Sequence, residues 1–156
     1  MITHLLPRFK FHRDLAAGRV LAELAVREWD GWDGWLGVDR LIPMPLHVAR
    51  LGQRGYNQAL ELARPIARSR RLPVDLTSLI RQRATTPQTE LDAAARRRNL
   101  RGAFVATDVS GQTVLLLDDV VTTAATVREA ARTLLRAGAS EVRVLAIARA
   151  PEPDQR

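Results

Sequence analysis

The sequence predicts an α/β domain built on a mainly parallel central sheet flanked by helices. Two segments, residues 114–117 and 142–148, are near-continuous apolar runs, the pattern of strands covered on both faces. Such runs alternate along the chain with helical periodicities, the order that builds parallel sheets. The first of these runs leads directly into two adjacent carboxylates, Asp118 and Asp119, and a threonine-rich turn. In open α/β sheets, ligands bind beyond strand ends of this kind.

The elements follow in order. Residues 15–28 place Leu15, Val20, Leu21, Leu24 and Ala25 at helical spacing. WDGWDGWLG, residues 29–37, ends that helix in Asp-Gly turn signals. Residues 38–42 read as a short buried strand halted by Pro43 and Pro45. Residues 57–71 have a helical pattern that Pro65 is expected to kink or to shift. Residues 76–82 form the next strand. Residues 83–100 are polar and rich in Thr and Arg, a length that compact domains reserve for functional or mobile connections. Strands at 103–106 and 113–117 are joined across the turn around Ser110 and Gly111. A helix over 126–137 ends at Gly138 as its C′ residue, and 142–148 is the last strand. The 156 residues make one domain, 1–150, with a disordered tail over 151–156.

Composition excludes several classes. The chain has no cysteine, which rules out disulfides, thiolate zinc sites and a cysteine nucleophile, and is compatible with a cytoplasmic location. No apolar run approaches the roughly 18 residues of a spanning helix, so no membrane insertion is expected. The N-terminus has no secretory h-region. The net charge of +7 suggests a polyanionic or phosphorylated partner. All but one of the 24 basic residues are arginine, the exception being Lys10. They cluster at Arg68, Arg70 and Arg71, at Arg81 and Arg83, and at Arg96, Arg97, Arg98 and Arg101. Guanidinium forks suit phosphate oxygens, although arginine runs also form plain solvated faces.

VLLLDDVVTTAATV, residues 114–127, carries the chemistry. The turn over 121–125 leads into a helix N-terminus, where outward N–H groups and the helix dipole make an anion site. Thr122, Thr123 and Thr126 add hydroxyl donors for phosphate oxygens. The two carboxylates can accept hydrogen bonds from vicinal hydroxyls or hold water around a magnesium ion. A sugar phosphate would satisfy both halves. The competing reading is that the acids cap a turn and the threonines start a helix; two acids ahead of such a turn favour the ligand site.

This segment resembles the phosphoribosyl-pyrophosphate (PRPP) motif of type I phosphoribosyltransferases, and in detail the ComF family, late-competence proteins associated with DNA uptake. LIPMPLH (41–47) and RLGQRGYNQA (50–59) resemble the family's first strand, its following loop and its Arg-Gly-aromatic-Asn-Gln signature. TPQTELDAAARRRNLRGAF (86–104) and KFH (10–12) resemble further family elements. The resemblance runs from about residue 5 to residue 149. It implies a type I phosphoribosyltransferase-like fold with a flexible hood loop, and a transferase of the glycosyltransferase class that uses PRPP and Mg²⁺. Asp118 and Asp119, the catalytic pair, would hold the ribose hydroxyls. Val121, Thr122, Thr123, Ala124, Ala125 and Thr126 would cradle the 5′-phosphate, with His47 and Arg54 also on PRPP. Arg96, Arg97, Arg98 and Arg101 of the hood loop would neutralise leaving pyrophosphate with Mg²⁺. The linear spacing gives no metal-ligand cluster, so Mg²⁺ is expected to arrive with PRPP; no zinc is expected in this cysteine-free sequence, in which the family's N-terminal four-cysteine module is either absent or upstream of Met1. Displacement of pyrophosphate through a cationic sugar needs charge stabilisation and water exclusion, not a protein nucleophile.

Position 124 departs from the family, which has glycine there. An alanine at positive φ costs on the order of 1 kcal/mol and its methyl crowds the phosphate, so weakened PRPP binding is expected. Trp29, Trp32 and Trp35 either stack bases or pack a loop against the body. Arg54 and Asn57 either orient the loop or touch ligand. His4 and His12 carry no partner pattern. Two functions follow: a phosphoribosyltransferase with an unidentified acceptor, or a non-catalytic competence protein binding single-stranded DNA or competence-machinery proteins, in either case as monomer or homo-oligomer.

Overall fold

The computed structural model describes residues 2–12, 14–83, 100, 102–121 and 124–149. The chain opens with two helices, α1 (Ile2–Phe11) and α2 (Leu15–Glu28). Strand β1 (Arg40–Pro43) is followed by α3 (Val48–Arg54) and α4 (Gln58–Arg70). Two short strands, β2 (Leu79–Arg81) and β3 (Phe104–Ala106), precede the long β4 (Thr113–Val121). Helix α5 (Ala125–Arg136) and strand β5 (Glu141–Arg149) complete the order.

The main sheet is parallel, in the order β1-β4-β5, as the apolar runs predict. Because side chains alternate along a strand, β4 feeds two cores. Leu115 and Leu117 pack with Phe9, Leu21, Leu62 and Ile66 of the α1, α2 and α4 layer. Val114 and Leu116 pack on the opposite face with Val127, Ala130 and Leu134 of α5. Leu79 and Phe104 of β2 and β3 close that second core as a small antiparallel ribbon.

Five elements differ from the sequence-based expectation. Helix α1 forms although Pro7 lies inside it. Its buried Phe9 and tilted Tyr56 have ring centroids 5.7 Å apart, and the Tyr56 hydroxyl donates to the Phe9 carbonyl. Helix α3 occupies what read as a loop, ended by Gly55 at φ 80°. Strand β3 pairs with β2 and not with β4, so the turn at Ser110 and Gly111 joins two different sheets. Strand β4 runs to Val121, so Asp118 and Asp119 lie inside the strand rather than after it. Pro65 sits within α4, which continues through it. The expected tail over 151–156 and the hood segment over 84–99 lie outside the described residues.

The tryptophans pack. Trp35 Nε1 donates to the Trp29 carbonyl at 2.7 Å, Trp32 meets Trp35 edge to face, and the Arg70 guanidinium lies 5.0 Å above the Trp35 ring. All three indoles lie against the α2–α4 core, which favours packing over base stacking. Among the described residues no helix is long and apolar enough to cross a membrane.

Candidate functional site

β1 stops early, and that makes the site. Its ladder with β4 ends at Pro43 opposite Leu117, and Met44 N–H donates to the Leu117 carbonyl. Pro45 cannot continue the ladder. Beyond that point β4 pairs only with β5, through Asp118 opposite Ala146 and on to Val121 opposite Arg149. The Asp119 N–H, on the side β1 has vacated, is taken by Asp118 Oδ1 at 2.9 Å. Asp119 Oδ1 in turn accepts the Val120 N–H at 2.9 Å.

Strand alternation sends the two acids to opposite faces of the sheet. Asp119 follows Leu117 toward the α1 layer, where Lys10 Nζ lies 3.8 Å from its Oδ2. That oxygen is buried and accepts no hydrogen bond among the described residues. Asp118 follows Leu116 toward the α5 side, within electrostatic reach of Arg81. Burial pushes the Asp118 carboxyl up to about 7, and the neighbouring Asp119 charge adds to the shift.

Both carboxylates open on a pocket of about 150 Å³. Four cations line it: Lys10 from α1, Arg50 and Arg54 from α3, and Arg81 from β2. Arg50 and Arg54 share one face of α3 because they are four residues apart. Burial holds both the Arg54 and the Arg81 guanidinium below the ordinary arginine value; Arg50 pushes in the same direction, while Asp119 and Asp118 respectively oppose it. Arg81 also lies 5.5 Å over the Phe104 ring. The pocket thus concentrates positive charge around a carboxylate pair, one member of which is readily protonated.

The remaining wall is the start of α5. Ala124 is its N-cap, at φ 55° and ψ 2°, and has no side chain able to cap the helix. The first-turn N–H groups of a helix have no internal partner, so those of Ala125, Thr126 and Val127 are available to an anion. The left-handed backbone at 124 is the conformation glycine adopts freely and alanine adopts at a cost.

Of the residues singled out in the sequence, Asp118, Asp119, Val121, Ala124, Ala125, Thr126 and Arg54 line this one pocket. His47 is not among the residues that line it: it is the N-cap of α3, its Nδ1 accepting the Ala49 N–H at 3.3 Å. Asn57 orients the loop, its Nδ2 donating to the Met44 carbonyl at 3.1 Å while its Oδ1 caps α4. Thr122, Thr123, Arg96, Arg97, Arg98 and Arg101 lie outside the described residues. Lys10, Arg50 and Arg81 were not anticipated as pocket residues. The available signals were that Lys10 is the single lysine and that Arg50 and Arg54 have helical spacing.

A parallel sheet carrying adjacent acids near a strand end, followed by an uncapped helix start, is the arrangement expected of a phosphoribosyltransferase. Residues 57–155 match the phosphoribosyl transferase domain family, and the chain belongs to that family. It is 43% identical over 149 residues to the DNA utilization protein YhgH of Escherichia coli O157:H7, covering 93% of this chain and 66% of that protein. It is 34% identical over 154 residues to Competence protein F of Haemophilus influenzae, covering 94% of this chain and 67% of that one. These relatives bear out the ComF resemblance, and the chain spans about two thirds of their length. The solved structure of the allosteric regulatory enzyme of purine biosynthesis shares the fold, with a TM-score of 0.52 at 22% identity over 85% of this chain and 26% of that one.

Proposed function

We propose that the pocket binds PRPP together with Mg²⁺ and serves transfer of the phosphoribosyl group to an acceptor. The observation that carries this reading is the convergence of Asp118, Asp119, the uncapped start of α5 and four cations on one pocket. In this reading the carboxylates accept hydrogen bonds from the ribose hydroxyls, and the α5 N–H groups with Thr126 hold the 5′-phosphate. Lys10, Arg50, Arg54 and Arg81 supply the positive charge that pyrophosphate would meet in this pocket. Departure of pyrophosphate leaves a cationic sugar, which an ionised carboxylate pair favours.

The donor set fits magnesium. The buried Asp119 Oδ2 has no hydrogen-bond donor among the described residues, and both acids offer only hard oxygen ligands. Among the described residues no cluster of three His, Asp or Glu could hold a metal without substrate. Mg²⁺ commonly binds through one or two carboxylates and substrate phosphates, and when bound it supplies neutralisation of pyrophosphate charge.

The net charge of +7 and the names of the relatives support a second, compatible reading: an accessory protein of DNA uptake that binds single-stranded DNA or competence-machinery proteins. Both readings place the chain in the cytoplasm, in keeping with its lack of cysteine.

Thermal unfolding with PRPP and Mg²⁺ tests the first reading, because a ligand of the folded state raises the midpoint by mass action. A saturable rise with PRPP, larger than that with inorganic pyrophosphate, is expected. No rise, or an equal one with pyrophosphate, would contradict a site that reads the sugar.

A further inference from the structure

Strand β5 ends the sheet. One of its edges is hydrogen-bonded to β4 from Glu141 to Arg149, and among the described residues no strand pairs with the other. Such an edge presents a row of N–H and C=O groups that will accept another strand unless something blunts it. Two of the usual blunting devices are missing, since residues 142–148 contain no proline and no lysine. Their single charge, Arg143, is already committed. It forms a two-pronged pair with Glu141 and donates to the carbonyls of Gly34 and Leu36. Val144, at the middle of the strand, is 40% exposed.

The sequence of the strand, EVRVLAIAR, is complementary to itself in reverse. An antiparallel copy centred on Leu145 sets Glu141 opposite Arg149 at both ends. Val142 then meets Ala148, Val144 meets Ala146, and Arg143, its guanidinium turned to the Gly34 and Leu36 carbonyls, lies opposite Ile147. Glu141 and Arg149 are both exposed, and Glu141 would exchange its pair with Arg143 for Arg149 of the copy. We propose that this edge is a self-association surface, on which β5 pairs with β5 of a second copy about a twofold axis through Leu145. The two three-stranded sheets become one continuous sheet. The end charges fix the register, and the twofold uses the edge once, which closes the assembly instead of propagating it. The pockets then lie at opposite ends of the shared sheet.

Sedimentation equilibrium over a range of concentrations tests this with the wild type, Glu141→Arg, Arg149→Glu and the double exchange. The wild type should approach twice the chain mass of 17.4 kDa. Each single reversal should weaken the dimer at least about tenfold, the effect of two opposite-charge cross-strand pairs becoming like-charge pairs. The double exchange should restore it. Arg149→Glu is the decisive single variant, because Glu141→Arg also removes the pair with Arg143. A wild type of monomer mass at every concentration overturns the proposal. A dimer indifferent to both reversals overturns the edge as its surface.

Discussion

Lys10 Nζ stands 3.8 Å from Asp119 Oδ2, so the chain's single lysine, carried on its first helix, is the counter-ion of a carboxylate at the end of its central strand. The contact ties α1 to the pocket. Replacing Lys10 by Gln leaves a largely buried carboxylate without its cation and should cost about 1 kcal/mol, a modest value because the pair is long and partly wet. Lys10→Gln combined with Asp119→Asn should recover most of that loss. Urea midpoints across the double-mutant cycle measure the coupling.

The α1 contact depends on close packing at Gly18 of α2. A Cβ there would lie 2.5 Å from Phe9 Cε2, so the Phe9 ring occupies the space a side chain would need. Gly18→Ala should therefore destabilise the fold by about 1–3 kcal/mol, the usual cost of overpacking, despite the better helix propensity of alanine. It should also weaken PRPP binding, since Lys10 moves with Phe9. A thermal melt and a binding isotherm on the same variant check both effects.

Ala124, at φ 55°, makes a second stability prediction with the opposite sign. Ala124→Gly relieves the left-handed strain and should stabilise the protein by about 0.5–1 kcal/mol after the added unfolded-state entropy. It also removes a methyl from the proposed phosphate cradle, so PRPP affinity should rise. Unchanged melting and unchanged affinity would remove alanine's role at this position.

Asp118 governs the pH dependence. Its folded-state value is pushed up to about 7, above the ordinary carboxylate range. A raised carboxyl favours the folded state below its unfolded value, and that contribution is lost as pH rises through about 7. Stability of the ligand-free protein should thus decline between about pH 4 and pH 7 and level off above that, and Asp118→Asn should flatten the decline. PRPP with Mg²⁺ needs the ionised acid, so its affinity should rise over the same interval. Melting curves and titrations at matched pH values separate the two trends.

Much of the frame was legible because it depends on local patterns. The apolar runs around Leu115–Leu117 and Val144–Ile147 predict buried parallel strands, and the acid pair followed by an Ala-Thr helix start marks the strand end. Strand β4 nevertheless extends four residues past its apolar run, because β5 pairs with Asp118 to Val121 whatever their polarity. Helix α3 escaped notice because it is only 7 residues long and Gly52 weakens its propensity, while Arg50 and Arg54 take their positions from the helix. Lys10, Arg50 and Arg81 come from three separate segments that only the tertiary fold brings together. His47 shows the converse: expected on PRPP, it uses Nδ1 to cap α3 and does not line the pocket.

The most direct measurement is calorimetric titration of PRPP with Mg²⁺ into the wild type and into the Asp118→Asn/Asp119→Asn double variant, each first shown to be folded. The account predicts saturable binding to the wild type and its loss in the double variant. Equal binding by both proteins, or none by the wild type, would contradict a sugar-phosphate site built on this carboxylate pair.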